Sequence, residues 1–118
     1  MSLISIQLPS DGFAPGETLT GEIKWEFDRD EPGIEIILRW QTRGKGTTDK
    51  KILPMHRIER AGRSGQQNFS LPLPLGPCSF SGRLITLSWT IEARIIGQDT
   101  MCSRDIVLSP TRRELLLA

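Results

Sequence analysis

Apolar residues recur at every second position through most of this chain, and that period of two predicts strands. The clearest run spans 85–95. There Ile85, Leu87, Trp89, Ile91, Ala93 and Ile95 alternate with Thr86, Ser88, Thr90, Glu92 and Arg94, the pattern of a strand with one buried face. Ile34, Ile36, Leu38 and Trp40 repeat it against Glu35, Arg39 and Gln41. From Glu17 to Phe27 the inward set is Leu19, Ile23, Trp25 and Phe27, with Gly21 on the same face. A glycine inside a strand predicts a bulge or the close approach of a bulky neighbour. Ile4, Ile6 and Leu8 alternate with Ser5 and Gln7 until Pro9 ends the run. Weaker strands over 51–59, through the proline-rich segment after Asn68, and near Cys102–Leu108 bring the expected number to about seven or more.

Turn chemistry separates these runs. Asp11-Gly12 marks one turn, and Pro32-Gly33 suits the central positions of a type II turn, where glycine supplies the positive φ. Gly44 to Lys50 reads as a polar loop, Ala61 to Gly65 as a flexible connection, and Gly97-Gln98-Asp99 as a turn into the last strand. Pro54, Pro72 and Pro74 remove ladder donors, which places their strands at sheet edges. Helical periodicity is confined to the end of the chain. Thr111-Arg112-Arg113-Glu114 has capping-box spacing ahead of Leu115-Leu116-Leu117, too short a stretch to hold a helix unaided. That tail is expected either to fray or to dock on an apolar surface.

Several short strands joined by Gly/Pro turns predict an all-β fold, an antiparallel immunoglobulin-like two-sheet sandwich. Residues 1–110 would form the sandwich and 111–118 a C-terminal tail. Trp25, Trp40 and Trp89 each fall on the inward face of a different strong strand. Burying roughly 200 Å² apiece is worth about 5 kcal/mol gross, an upper bound that exceeds any surface ion pair. The three rings are therefore assigned to the core. At 118 residues the chain has length for one domain with an autonomous core.

The net charge of +1 conceals an asymmetry. Residues 1–38 carry two basic side chains against eight acidic ones, whereas residues 39–63 carry eight basic against two acidic. Two explanations compete: pairing of the two segments across neighbouring strands, or a basic surface kept for an anionic partner. No apolar run is long enough to span a membrane. The N-terminal residues lack the pattern of a signal peptide, so a cytoplasmic location is expected. Cys78 and Cys102 are too few for a disulfide framework and read as reduced thiols, with their spacing in the fold left to decide whether they pair.

Two segments carry a family resemblance. Phe13-Ala14-Pro15-Gly16-Glu17-Thr18-Leu19-Thr20-Gly21 resembles the element that opens the second strand of arrestin-fold domains. Phe69 to Gly82, with its Phe-x-Leu-Pro strand and Pro-x-Ser-Phe-x-Gly turn, resembles the segment of those domains that leads into an aromatic-containing strand, here Leu84 to Ile95. The resemblance implies an arrestin-like sandwich, a fold shared with retromer subunits. Arrestins carry two lobes, and this length accommodates one. The buried charged cluster and phosphate-reading lysines of that family have no match that can be assigned position by position.

Catalytic patterns fail one by one. His56 is the single histidine and no Gly-x-Ser-x-Gly accompanies it, so it reads as an exposed polar residue. Asp28, Asp30 and Glu31 lack the glycine and distant glutamate of a calcium loop. Gly44-Lys45-Gly46-Thr47 has no hydroxyl residue directly after the lysine and no helix to follow, so the phosphate-loop pattern is not met. No aromatic residue lies between Trp40 and Phe69 to stack bases, which argues against nucleic acid. The expectation is a non-enzymatic interaction module without cofactor or metal, an adaptor or scaffold for a protein partner. Its binding surface would be a sheet edge or basic loop, with Arg43, Lys45, Lys50, Lys51, His56 and Arg57 as the candidate residues. The alternative is recognition of anionic ligands such as acidic or phosphorylated peptides or lipid headgroups. An edge open to a partner strand also permits a homodimer.

Overall fold

The computed structural model describes residues 2–44, 49–81, 85–111 and 115–116. Eight strands appear: β1 (Leu3–Gln7), β2 (Gly12–Phe13), β3 (Thr18–Gly44), β4 (Lys50–Pro72), β5 (Phe80–Ser81), β6 (Ile85–Ile95), β7 (Thr100–Leu108) and β8 (Leu115–Leu116). No helix occurs among the described residues, so none is long and apolar enough to cross a membrane. The fold is all-β, one curled, mainly antiparallel sheet folded into a two-layer sandwich. Two short pairings, β2 with β7 and β5 with β8, are parallel.

β3 and β4 are far longer than ordinary strands, because each serves both layers. The first half of β3 pairs with β1 on one side and with the end of β4 on the other, Thr18 to Glu26 against Pro72 to Ser64. Past a bend at residues 27–33 the same strand enters the second layer. There Ile34 to Gln41 pair with Ile58 to Lys50, and Ile34 to Gly44 pair with Ile95 to Ile85 of β6. β7 then adds to β6 through Trp89↔Ile106 to Arg94↔Thr100. The second layer thus runs β4, β3, β6, β7, and β4 is the outermost strand in both layers.

Alternation fills the space between the layers. Leu19, Ile23, Ile34, Ile36, Leu38, Leu71, Ile91 and Ala93 are fully buried, and Trp89 is 1% exposed. Trp89 Nε1 donates to the Pro77 carbonyl at 2.6 Å, and Trp25 Nε1 donates to Ala61 O at 3.0 Å, so both indoles bury with their polar atom paired. Gly21 has the predicted role: a Cβ there would lie 2.7 Å from Phe69 Cζ and 2.9 Å from Leu8 Cδ2. At the entry to β3, Glu17 N donates to Ala14 O while Gly16 holds φ +77°, a tight turn with proline leading glycine.

Several expectations change. Pro32-Gly33 forms no type II turn: β3 continues through it, and Gly33 is not among the glycines with positive φ. Its small size serves another purpose, since a Cβ would lie 2.5 Å from Ile58 O and 2.7 Å from Ile96 Cδ1. The supposed flexible connection at 61–65 is strand, with Trp25↔Gly65, Glu26↔Ser64 and Glu31↔Gly62 in register. Trp40 is half-buried against the core rather than within it, because it lies near the end of the sandwich where β4 begins. Leu115 and Leu116 pair with Phe80 and Ser81 as strand, so no helix forms at those two positions. The rest of the capping-box motif and Leu117 lie outside the described residues, apart from Thr111.

Candidate functional site

Because β4 is outermost in both layers, its far edge carries no strand over 23 residues among those described. Lys50, Lys51, Arg57, Arg60 and Arg63 are exposed along it. Arg63 Nη2 donates to the Asp28 carbonyl at 2.8 Å. The others form no ion pair among the described residues. Lys51 lies in register with Trp40, and Arg57 with Glu35. Glu35 instead takes the guanidinium of Arg94, its Oε1 accepting from Nη2 at 2.6 Å and Nε at 3.2 Å. Apart from Arg63 beside Asp28, the basic middle therefore forms no ion pair with the acidic first third among the described residues. The salt bridges of that acidic third run from Glu22 to Lys24, Glu31 to Arg29, Glu35 to Arg94 and Asp11 to Arg104.

The candidate residues separate into groups. Lys50, Lys51 and Arg57 share β4, whereas Arg43 lies past the last β3–β4 pair, Gln41↔Lys50, in register with Thr86 of β6. His56 lies on the same strand and differs from the expectation in its exposure. It sits in register with the fully buried Ile36, is half-buried rather than exposed, and its Nε2 faces Gln67 Nε2 at 3.3 Å across the open side of the sandwich. A register shift between Ile36 and Ile37, with Pro54 opposite Ile37, turns that part of β4. Lys45 lies outside the described residues.

A second feature crosses the outer face of the second layer. A groove of about 600 Å³ is lined by Arg39 and Arg43 of β3, Thr86, Ser88 and Thr90 of β6, and Asp105 of β7, among others. Glu92, only 4% exposed, lies beside it. Glu92 Oε1 accepts from Thr100 Oγ1 at 2.7 Å. Its Oε2 is 3.0 Å from Arg39 Nε, but the two are misaligned and neither atom has a hydrogen-bond partner. The pair is held by charge, with the Glu92 side chain buried and the Arg39 side chain a third exposed, so water screens it only from the arginine side. The Gln41 amide, turned so that its oxygen faces Arg43, accepts from Arg43 Nε at 3.1 Å and Nη2 at 3.0 Å. Sequence alternation placed these polar residues on the solvent face and gave no sign that they converge.

A larger cavity of about 780 Å³ at one end is bordered by Asp28, Arg29, Glu31 and Asp99. Arg29 already bonds Glu31 at 3.1 Å. No group of three His, Cys, Asp or Glu among the described residues is disposed to hold a metal ion.

No protein-family model and no curated protein matches the sequence. Many solved structures share the fold, and two illustrate it. Spo0M, a sporulation control protein from Bacillus subtilis, superposes with a TM-score of 0.60 over 92% of this chain at 19% identity. The alkylpurine DNA glycosylase AlkC of Pseudomonas fluorescens, solved bound to DNA containing an abasic-site analogue, gives 0.52 over 91% at 10% identity. The chain spans 49% of the first and 30% of the second. Likeness at this identity shows the fold alone.

Proposed function

We propose that this chain is an arrestin-like, non-enzymatic protein-interaction module that takes an extended acidic segment of a partner onto the free edge of β4. The observation that carries this reading is a strand edge that, among the described residues, has no pairing strand and bears the cations Lys50, Lys51, Arg57 and Arg60 without an ion pair. A strand edge offers main-chain donors and acceptors to any extended chain. The charges then choose among chains: Lys50, Lys51, Arg57 and Arg60 favour a carboxylate-bearing segment and steer it by long-range attraction. The same cations oppose self-pairing, since two β4 edges laid together would set positive charge against positive charge. A monomer is therefore the expected free state.

The test uses the whole chain and a fluorescent peptide of alternating glutamate and valine, with a lysine–valine peptide as control. The acidic peptide should bind, weaken steeply as salt rises, and lose about tenfold or more in affinity to the triple variant K50E/K51E/R57E. Equal binding of the lysine peptide, or acidic-peptide binding that survives the charge reversal, would overturn the proposal. So would a stable dimer by light scattering that excludes the peptide. A DNA duplex or anionic vesicles binding more tightly than the peptide would replace it with general anion recognition.

A further inference from the structure

The groove on the outer face of the second layer holds charges of both signs on opposite walls. Arg39 and Arg43 stand on β3, and Asp105 on β7, with Asp11 at the same side. The hydroxyls of Thr86, Ser88 and Thr90 on β6 lie between them. Strand register makes the arrangement linear: Arg39 is opposite Thr90, and Thr90 is opposite Asp105. Two strand spacings separate the walls, about 10 Å between main chains.

The two ends are differently committed. Arg39 is held over Glu92 by charge, yet its guanidinium makes no hydrogen bond among the described residues, and its side chain is 33% exposed. Its Nε is buried against Glu92, and the exposed part of the side chain lines the groove. Asp11 is partly answered by Arg104 at 3.7 Å, whereas Asp105 has no ion pair or hydrogen bond among the described residues. A simple anion in the groove would meet Asp105, and a simple cation would meet Arg39 and Arg43. Trp89 beneath the floor is 1% exposed and presents no ring on which a sugar could stack.

We infer that this groove binds a small ligand of the amino-acid class carrying a carboxylate and an ammonium several ångströms apart, the carboxylate on Arg39 and Arg43 and the ammonium on Asp105. The hydroxyl row supplies donors and acceptors to whatever polar atoms join the two charges. The site is independent of the edge proposed above: a strand added to β4 lies on the far side of β3 and does not reach β6.

The test is a titration of the isotope-labelled chain, followed by backbone amide shifts, with 6-aminohexanoate, hexanoate, hexylammonium and glycine at fixed ionic strength. The zwitterion should shift Ser88, Thr90 and Ser103 and bind about tenfold more tightly than either singly charged analogue. Glycine, whose charges are too close to span the walls, should show no such advantage. D105N should reduce 6-aminohexanoate to the affinity of hexanoate. R39Q should remove the carboxylate contribution. That variant leaves Glu92 without its counter-ion and can unfold, so D105N, a change at an exposed position, decides alone. Equal affinity of hexanoate and 6-aminohexanoate, an unchanged D105N, or shifts confined to residues outside the groove would overturn the inference.

Discussion

The two lateral sides of the sandwich solve the same problem in opposite ways. On one side β1 and β7 approach without pairing, and side chains close the gap. Arg104 Nη1 donates to Ile6 O at 2.8 Å and also reaches Asp11, and the Ile6 main-chain N–H faces the Cys102 thiol. β2 caps the end of β7 through Gly12↔Val107 and Phe13↔Leu108. The outward main-chain groups of Ile6 are thus answered within the chain. On the other side β4 has no strand on its free edge among the described residues, and exposed cations line it from Lys50 to Arg63. A five-residue edge strand can be sealed by two side chains; a long one cannot, and charge is the usual guard against promiscuous pairing. The difference separates a seam that belongs to stability from an edge available to a partner.

The largest expected effect comes from the bend that gives β4 its place in both layers. Gly33→Ala would set a methyl 2.5 Å from the Ile58 carbonyl oxygen, a main-chain atom on the neighbouring strand that cannot rotate aside. The two strands would have to part, at a cost of about 3 kcal/mol. Gly62→Ala is the comparison: nothing lies within 4 Å of the added carbon, and only the positive φ of 68° is strained, for about 1 kcal/mol. Urea unfolding of the two variants should show Gly33 as the costlier site. The reverse order would mean that the bend is set by conformation rather than by packing.

Arg104→Met tests the seam. The variant keeps the aliphatic stem and loses the charge-assisted bond to Ile6 O, for about 2 kcal/mol. Hydrogen exchange should rise in β1 and leave β4 unchanged. Equal protection loss in both would mean that the seam and the edge are not separate units.

The same two sides show what the sequence could disclose. Alternation located β3 and β6 because each buries one face, and Gly21 was legible because its face was already fixed by Leu19 and Ile23. Pro15-Gly16 and Pro32-Gly33 are the same dipeptide, yet the first turns and the second does not. Local propensity cannot separate them: Gly33 is kept extended by pairing with Glu59 and by the closeness of Ile58 and Ile96, all tertiary partners. The basic edge was readable from Pro54 and the run of cations. The groove was not, because Arg39, Ser88, Thr90 and Asp105 come from three strands whose register no single segment encodes. The partial burial of His56 was hidden for a similar reason, since it lies at the register shift opposite Ile36 and Ile37.

Trp25 packs across the β3–β4 pair and gives a smaller effect. Its ring covers Gly65, where a Cβ would lie 2.4 Å from Cζ2, and its Nε1 satisfies Ala61 O. Trp25→Phe keeps most of the apolar surface and orphans that carbonyl, so the loss should be about 1 kcal/mol by denaturant unfolding. No loss would indicate that the carbonyl finds water, and that this part of β4 is more open than its pairing suggests.

The smallest effect is a chemical one at the seam. Burial raises the pKa of the Cys102 thiol above its ordinary value, opposed by the Ile6 N–H and by Arg104. Only the thiolate reacts with iodoacetamide, so in the folded chain Cys102 should alkylate more slowly than a free thiol at mildly alkaline pH. Urea should abolish the difference. Because the folded state holds this proton more tightly than the unfolded state, its contribution to stability is fully present below the unfolded pKa. It is lost as pH rises through the folded value. Arg104→Met removes one of the opposing charges and should slow alkylation further, provided β1 stays in place. Faster alkylation in that variant would show instead that Arg104 acts mainly as the clamp, and that without it the seam opens to solvent while the β4 edge stays as it was.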